Sequence, residues 1–180
     1  MVSRPSTSLC ETSLGSVVSG ETVEHHYTIT EGLIKHMDVH DHWVIRSAGE
    51  EDIVSVLDLW VVAGSLRSVS DSPDGLARLL ATDLQALLVA ERGGVLAGSL
   101  IAAWDGWRGS FYRLAVSPEH RRKGLATMLL REGERRLRER GAVRLTAIVA
   151  DDEAGAMDFW RAVGYERQQH RARFVCQPDA

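Results

Sequence analysis

Cysteine is nearly absent from this chain of 180 residues, with Cys10 and Cys176 standing alone near its two ends. That excludes a disulfide framework and any cysteine-based metal spacing, and it makes a reducing cytoplasm the expected home. Long apolar runs are missing as well. No segment approaches the roughly 20 residues that a membrane-spanning helix needs. Near the start, Ser6-Thr7-Ser8-Leu9-Cys10-Glu11-Thr12-Ser13-Leu14-Gly15 breaks every apolar run within two residues, so no secretory signal is expected. Positive charge is in deficit: 21 Lys and Arg stand against 25 Asp and Glu, a net charge of -4. Nucleic acids and membrane surfaces are anionic, so neither is expected as a general partner and the basic residues must act locally. There is no repeat at a fixed period. The Walker pattern Gly-x-x-x-x-Gly-Lys-Ser/Thr does not occur, which excludes that class of nucleotide binder.

What is present is apolar material amounting to 44% of the residues, enough for one sizeable core in a chain too short for two comfortable domains. Residues 1–42 are rich in Ser, Thr, Glu and His and hold no sustained period, so they are expected to be a disordered extension. Translation from Met37 is an alternative account and would leave 144 residues (180 minus 36). His25, His26, His36, His40 and His42 crowd into this stretch. Without cysteine partners or an ordered scaffold they predict no metal site.

Residues 43–180 read as one domain. Trp43 to Arg46 form a first strand, and residues 50–62 a helix with Ile53, Val56, Leu57 and Trp60 on one stripe. Ser72-Pro73-Asp74 opens a second helix, with serine as cap and Leu76, Leu79 and Leu80 along its face. Residues 87–90 and 95–104 make a hairpin across Glu91-Arg92-Gly93-Gly94, its second strand apolar at nearly every position and therefore covered on both faces. In the next strand, 111–116, alternation puts Tyr112, Leu114 and Val116 on one face and Phe111, Arg113 and Ala115 on the other.

A long helix then carries Leu125, Ala126, Met128, Leu129, Leu130, Gly133 and Leu137 as its inner stripe and stops at Gly141. Arg131, Arg135, Arg136, Arg138 and Arg140, with Glu132, Glu134 and Glu139, are expected to form its solvated outer face. A strand over 143–149, a short helix over 153–163 closed by Gly164, and two closing strands at 165–167 and 171–176 complete the chain. The order βααβββαβαββ predicts an α/β fold, a mixed and mostly antiparallel sheet of six to seven strands with helices on both faces.

The stretch Arg121-Arg122-Lys123-Gly124-Leu125-Ala126 links the strand ending before Ser117-Pro118 to that long helix. Small residues two apart permit a tight turn, and amides converge at a helix start carrying roughly half a positive charge. That is a cradle for a pyrophosphate. The same residues also fit a solvated basic turn with a flexible glycine.

Leu114-x-Val116-x-Pro118 followed by Arg121-x-x-Gly124-x-Ala126 resembles the acetyl-coenzyme A signature of the GNAT acetyltransferases, and the run from Trp104 is most similar to the bacterial YpeA acetyltransferase group. The likeness covers about residues 43–175 and shares the element order. It implies an acetyl-CoA-dependent N-acetyltransferase acting on a primary amine of a small molecule or peptide. No metal is implied, and a homodimer is allowed. By this resemblance, backbone groups of Leu114, Ala115 and Val116 pair with pantetheine, one amide there polarises the thioester, and the amides of Arg121, Arg122, Lys123, Gly124, Leu125, Ala126 and Thr127 take the pyrophosphate.

A second segment, Ala156-x-x-Phe159-Trp160-Arg161-Ala162-Val163-Gly164-Tyr165, resembles the family's Asn-x-x-Ala-x-x-Phe-Tyr-x-x-x-Gly-Phe. It adds Glu153, Phe159 and Trp160 to the cofactor-binding candidates. Glu153 stands where that pattern has Asn, and Trp160 where it often has a tyrosine proposed to protonate the thiolate. An indole is no acid at neutral pH. Phe159 and Trp160 either pack against the sheet or wall the thiol end of CoA.

No carboxylate occupies the middle of the 143–149 strand, where some relatives hold a base; Ile148 is there instead. Tyr112, Asp105 and Glu91 are the remaining catalytic candidates, with water as an alternative. Without a dedicated base, an easily deprotonated amine is expected as acceptor. Neutralising a lysine amine at pH 7 costs roughly 4.6 kcal/mol, an α-amine only about 1.0–1.4 kcal/mol. Asp151, Asp152 and Glu153 either attract a cationic acceptor or cap a helix, and Trp104, Trp107 and Arg108 either line the pocket or pack. The alternative to an enzyme is a weakly catalytic acetyl-CoA-binding sensor or interaction module.

Overall fold

Apolar residues that run without polar interruption become strands shielded from both sides. Leu87, Leu88, Val89 and Ala90 are all fully buried, Leu87 and Val89 toward one core and Leu88 and Ala90 toward a second. The computed structural model describes residues 42–150 and 154–177. Within them, β1 (Val44–Ser47), β2 (Leu87–Arg92), β3 (Val95–Trp104), β4 (Gly109–Val116) and β5 (Leu145–Ala147) form one sheet in the order β1-β2-β3-β4-β5. The first four are antiparallel to their neighbours, and β5 joins β4 in parallel. The β2–β3 hairpin turns on Gly93 and Gly94, both left-handed, as a two-residue connection matched to strand twist requires.

Helices α1 (Ile53–Val62) and α2 (Pro73–Thr82) cover one face of this sheet. Their Val56, Leu59, Trp60, Leu76 and Leu80 meet Leu87, Val89 and Ala115. On the opposite face lie α3 (Leu125–Glu139) and α4 (Ala154–Ala162), whose Leu125, Leu129, Leu130, Leu137 and Trp160 meet Leu88, Ala90, Leu100 and Phe111. Each such side chain contributes about 1.5–3 kcal/mol by leaving water. Helix α2 starts as expected, with Ser72 Oγ accepting from the amide of Gly75 at 3.1 Å.

Four expectations are corrected. The sheet has five strands among the described residues: 165–167 and 171–177 are irregular, and Phe174 is 93% exposed, so these short basic segments find no ladder partner. The fifth strand is shorter than 143–149, because Val143 is exposed and its amide bonds to the carbonyl of Trp107 instead of entering the ladder.

The charged face of α3 is not wholly solvated. Glu134 is 2% exposed because it lies on the inner stripe between Leu130 and Leu137. Burial pushes its carboxyl up, but Arg131, Arg138 and the hydroxyl of Tyr165 outweigh that and hold it below the ordinary range. Burial and the Glu134 carboxylate in turn push the Tyr165 phenol up.

Finally, strict alternation fails in β4. Phe111, Leu114 and Val116 share the α3 side, while Ala115 faces α1 and α2. Between Ser99↔Ala115 and Ile101↔Tyr112, two steps along β3 match three along β4, which is a bulge at Arg113 and Leu114. The expected calls on the first 41 residues, including His25, His26, His36, His40, Met37 and Cys10, lie outside the described residues, as do Asp151, Asp152 and Glu153.

Candidate active site

The bulge opens the sheet where a ligand backbone could enter. Pairing of β4 with β5 runs only from Gly109↔Leu145 to Phe111↔Ala147, so beyond Phe111 the outer edge of β4 has no strand beside it among the described residues. The amide of Ser117 bonds to the carbonyl of Ala97 on the β3 side. Alternation along the strand then turns the backbone groups of Leu114 and Val116 outward, toward the open edge, and those of Ala115 inward.

Arg113 makes this geometry. Its φ of 53° is left-handed, a conformation that costs a residue with a side chain about 1–3 kcal/mol and persists only where surroundings impose it. Its Nε donates to Asp71 Oδ1 at 3.0 Å, its Nη2 donates to Asp71 Oδ2, and its Nη1 donates to the carbonyl of Leu66 at 2.7 Å. The guanidinium carbon sits 5.2 Å from the ring centre of Trp60. At the backbone, the Arg113 carbonyl accepts from Ser99 Oγ at 3.4 Å, and Ser99 Oγ accepts from Trp60 Nε1 at 2.8 Å. Sequence reasoning missed Arg113, Asp71, Ser99 and Trp60. The signal was a charged residue inside an otherwise apolar strand, which demands a buried partner.

Past Ser117 the chain reaches the start of α3. Arg122 and Gly124 are both left-handed, with φ of 62° and 82°, and this turn aims successive amides outward in the manner of an anion nest. Gly124 caps α3 with no side-chain bond, unlike Ser72 at α2. The first helical bond runs from the Met128 amide to the Gly124 carbonyl at 3.0 Å, so the amides of Leu125, Ala126 and Thr127 have no partner within the helix. A Cβ on Gly124 would meet nothing within 4 Å. The space beside Gly124 is open, as a diphosphate held at this helix start would require. Arg121 does something unforeseen: its Nε donates to the Val116 carbonyl at 3.2 Å and its Nη2 to the Ala63 carbonyl at 2.7 Å, bracing the turn against the end of α1. Arg122 and Lys123 are exposed.

The three catalytic candidates are scattered. Tyr112 is half-buried next to the bulge, and its pairing with Ile101 places it on the α1–α2 side. Asp105 sits in the turn beyond Trp104 and Gly109, roughly 16 Å along the strand from the bulge. There its Oδ1 accepts from the amides of Arg108 and Trp107, which hold its carboxyl below the ordinary range and make it a weaker base. Glu91 is engaged by Arg46, whose Nε donates to Oε2 at 2.9 Å. The Arg46 guanidinium also binds Asp52.

Trp160 is 9% exposed and stands edge-on to Tyr165 at 4.8 Å and to Phe159 at 5.6 Å. It packs on the sheet. Trp107 is exposed with Arg108 stacked on it, and Trp104 stacks with Arg140, so these rings serve the surface and the hairpin end. A separate groove of about 510 Å³ beside Trp43, Ile45 and Met128 holds none of the candidates.

The comparisons with known proteins agree on a family. Residues 42–165 match the model of the Acetyltransferase (GNAT) family. This chain belongs to that family. It is an acyltransferase enzyme by that membership, and its sequence relatives agree. An acetyltransferase of Yersinia pestis (strain Pestoides F) is 34% identical over 124 residues, covering 69% of this chain and 88% of the relative. One of Yersinia pseudotuberculosis serotype I is equally similar.

Among solved structures, Ard1 from Thermoplasma volcanium aligns with a TM-score of 0.62 at 19% identity, covering 68% of this chain and 81% of that one. AAC(6')-Iy, solved with a CoA-containing bisubstrate analogue, aligns with a TM-score of 0.61 at 18% identity over 77% of this chain and all of that one. The protein yncA of Salmonella typhimurium, solved with acetyl-CoA, aligns with a TM-score of 0.57 at 20% identity, covering 69% of this chain and 79% of that one. These structural likenesses establish the fold. Among the described residues no helix is long and apolar enough to cross a membrane.

Proposed function

We propose that this chain transfers the acetyl group of acetyl-CoA to a primary amine of a small molecule or peptide. The observation that carries this reading is the Arg113 bulge, which leaves outward backbone groups on a strand edge unpaired among the described residues, directly upstream of the open start of α3. Leu114 and Val116 supply the outward groups for pantetheine, with Ala115 holding the strand to β3 between them. The turn 121–124 and the amides of Leu125, Ala126 and Thr127 hold the diphosphate, each helix-end contact worth about 0.3–2 kcal/mol. An amide N–H of the bulge donates to the thioester oxygen as negative charge develops there, and a donor so placed is worth about 3–4 kcal/mol.

The reaction forms a nitrogen–carbon bond, breaks the carbon–sulfur bond and moves a proton from amine to thiolate. Tyr112 is the candidate to relay that proton, since Asp105 is turned into its own loop and Glu91 is held by Arg46. With no carboxylate at Ile148, the expected acceptor is an amine of low pKa, such as an α-amine or an aromatic amine, in preference to a lysine side chain. Phe159, which flanks the buried Trp160, and Glu153 stay cofactor-binding candidates from the motif alone.

The test is calorimetry with acetyl-CoA, followed by thiol release across a panel of amines. Uptake with amine-dependent release, faster on α-amines than on lysine side chains at neutral pH, is expected. No uptake overturns the proposal. Uptake without amine-dependent release would assign the chain as an acetyl-CoA-binding sensor instead, the reading that the buried Trp160 favours.

A further inference from the structure

The bulge is not self-supporting. In an unbulged β4, Arg113 would share a face with Phe111 and enter the apolar core beneath α3. What turns it the other way lies outside β4 entirely. Asp71 belongs to the segment between α1 and α2, where its amide donates to the Ser68 carbonyl at 3.0 Å and its Oδ2 accepts from the Ser68 amide at 2.7 Å. A carboxylate fixed at its base in this way grips the Arg113 guanidinium through both oxygens, and the Leu66 carbonyl from the same segment takes a third bond. Both side chains of the pair are mostly shielded, at 18% and 12% exposure, so water competes weakly for them. The remaining tether is the Trp60–Ser99 chain that ends on the Arg113 carbonyl.

From this arrangement we infer that Asp71 and Arg113 are positioning residues for the thioester. Their contact holds β4 in its left-handed bulge and so aims the outward amide at the reacting carbonyl, without either side chain touching substrate. The inference rests on the acetyl-CoA reading above. It predicts a division of labour along the cofactor: affinity resides at the start of α3, and carbonyl polarisation depends on a loop 42 residues upstream of the bulge.

The experiment uses the full chain with two probes, CoA and [1-13C]acetyl-CoA, and the variants Asp71→Asn and Arg113→Gly. Glycine tolerates the left-handed backbone, so Arg113→Gly removes the clamp without adding strain. Expected are CoA affinity within about threefold of the parent, a fall in kcat of about 10²-fold with KM for acetyl-CoA little changed, and a bound-carbonyl 13C resonance moved toward that of free acetyl-CoA. The double variant is expected to be no worse than Arg113→Gly alone, because both act through one contact.

A parent-like carbonyl resonance and kcat in both variants would overturn the inference while leaving the acetyl-CoA reading intact. So would additive losses in the double variant, or losses of CoA affinity as large as those in kcat. A parent chain that takes up no acetyl-CoA overturns both.

Discussion

Replacing Gly124 separates folding from binding at the start of α3. With φ at 82° and ψ at -5°, the position is left-handed, which costs any residue bearing a Cβ about 1–2 kcal/mol. Because nothing lies within 4 Å of where that Cβ would sit, the folding cost for alanine is set by the backbone alone, and leucine is expected to match it. At about 2–4 °C per kcal/mol for a chain of this size, both variants are expected to melt about 2–8 °C below the parent.

Binding should distinguish them. The open space is where the diphosphate is proposed to lie, and a leucine there displaces it from two or more amides. At about 0.3–2 kcal/mol per contact, losing two costs about 0.6–4 kcal/mol, or roughly 3- to 1,000-fold in affinity. Alanine should lose less than leucine. The assay is thermal melting of the free proteins together with calorimetry of acetyl-CoA at fixed ionic strength. Parent-like affinity in Gly124→Leu would refute the placement of the diphosphate, and a melting temperature far lower for leucine than for alanine would refute the reading that the space is open.

Gly109→Ala should destabilise by about 1–3 kcal/mol, since its Cβ would fall 2.6 Å from Leu137 Cδ1 and 2.7 Å from Leu145 Cδ2; urea unfolding reads this, and an unchanged midpoint contradicts it. Trp160→Ala should cost about 3–5 kcal/mol in the same assay, because the indole fills the core among Phe111, Phe159 and Tyr165. Glu132 is held at about 2 by Arg135, against burial and with help from Arg136. Its pKa is lower folded than unfolded, so its stabilisation is present above pH 4.5 and lost as pH falls through about 2. Stability measured between pH 5 and pH 2 should therefore fall less steeply in Glu132→Gln than in the parent, and equal slopes would count against the Arg135 contact.

Much of this protein was legible without coordinates. Local rules that depend on near neighbours wrote themselves plainly: the serine cap before Pro73, the two-glycine hairpin, and the glycine two residues before an alanine at the opening of α3. The doubly covered strands were equally visible, because burial on both faces leaves no room for polar residues. Even the bulge left a trace, since Phe111, Leu114 and Val116 are spaced three and then two apart, which a regular strand facing one core cannot satisfy. Reading β4 by simple alternation passed over that trace.

What the sequence by itself determined is the family signature and the helical and extended segments that carry it, because these follow from short-range periodicity and from backbone needs that only certain residues meet. Tertiary structure alone decided which charges are interior and what they hold. Glu134 became a buried partner of Tyr165 by falling between two leucines of α3, and Asp71 became the grip on Arg113 from 42 residues away. Electrostatic partners are chosen by distance in space, and a list of residues carries no such distances until the chain has packed.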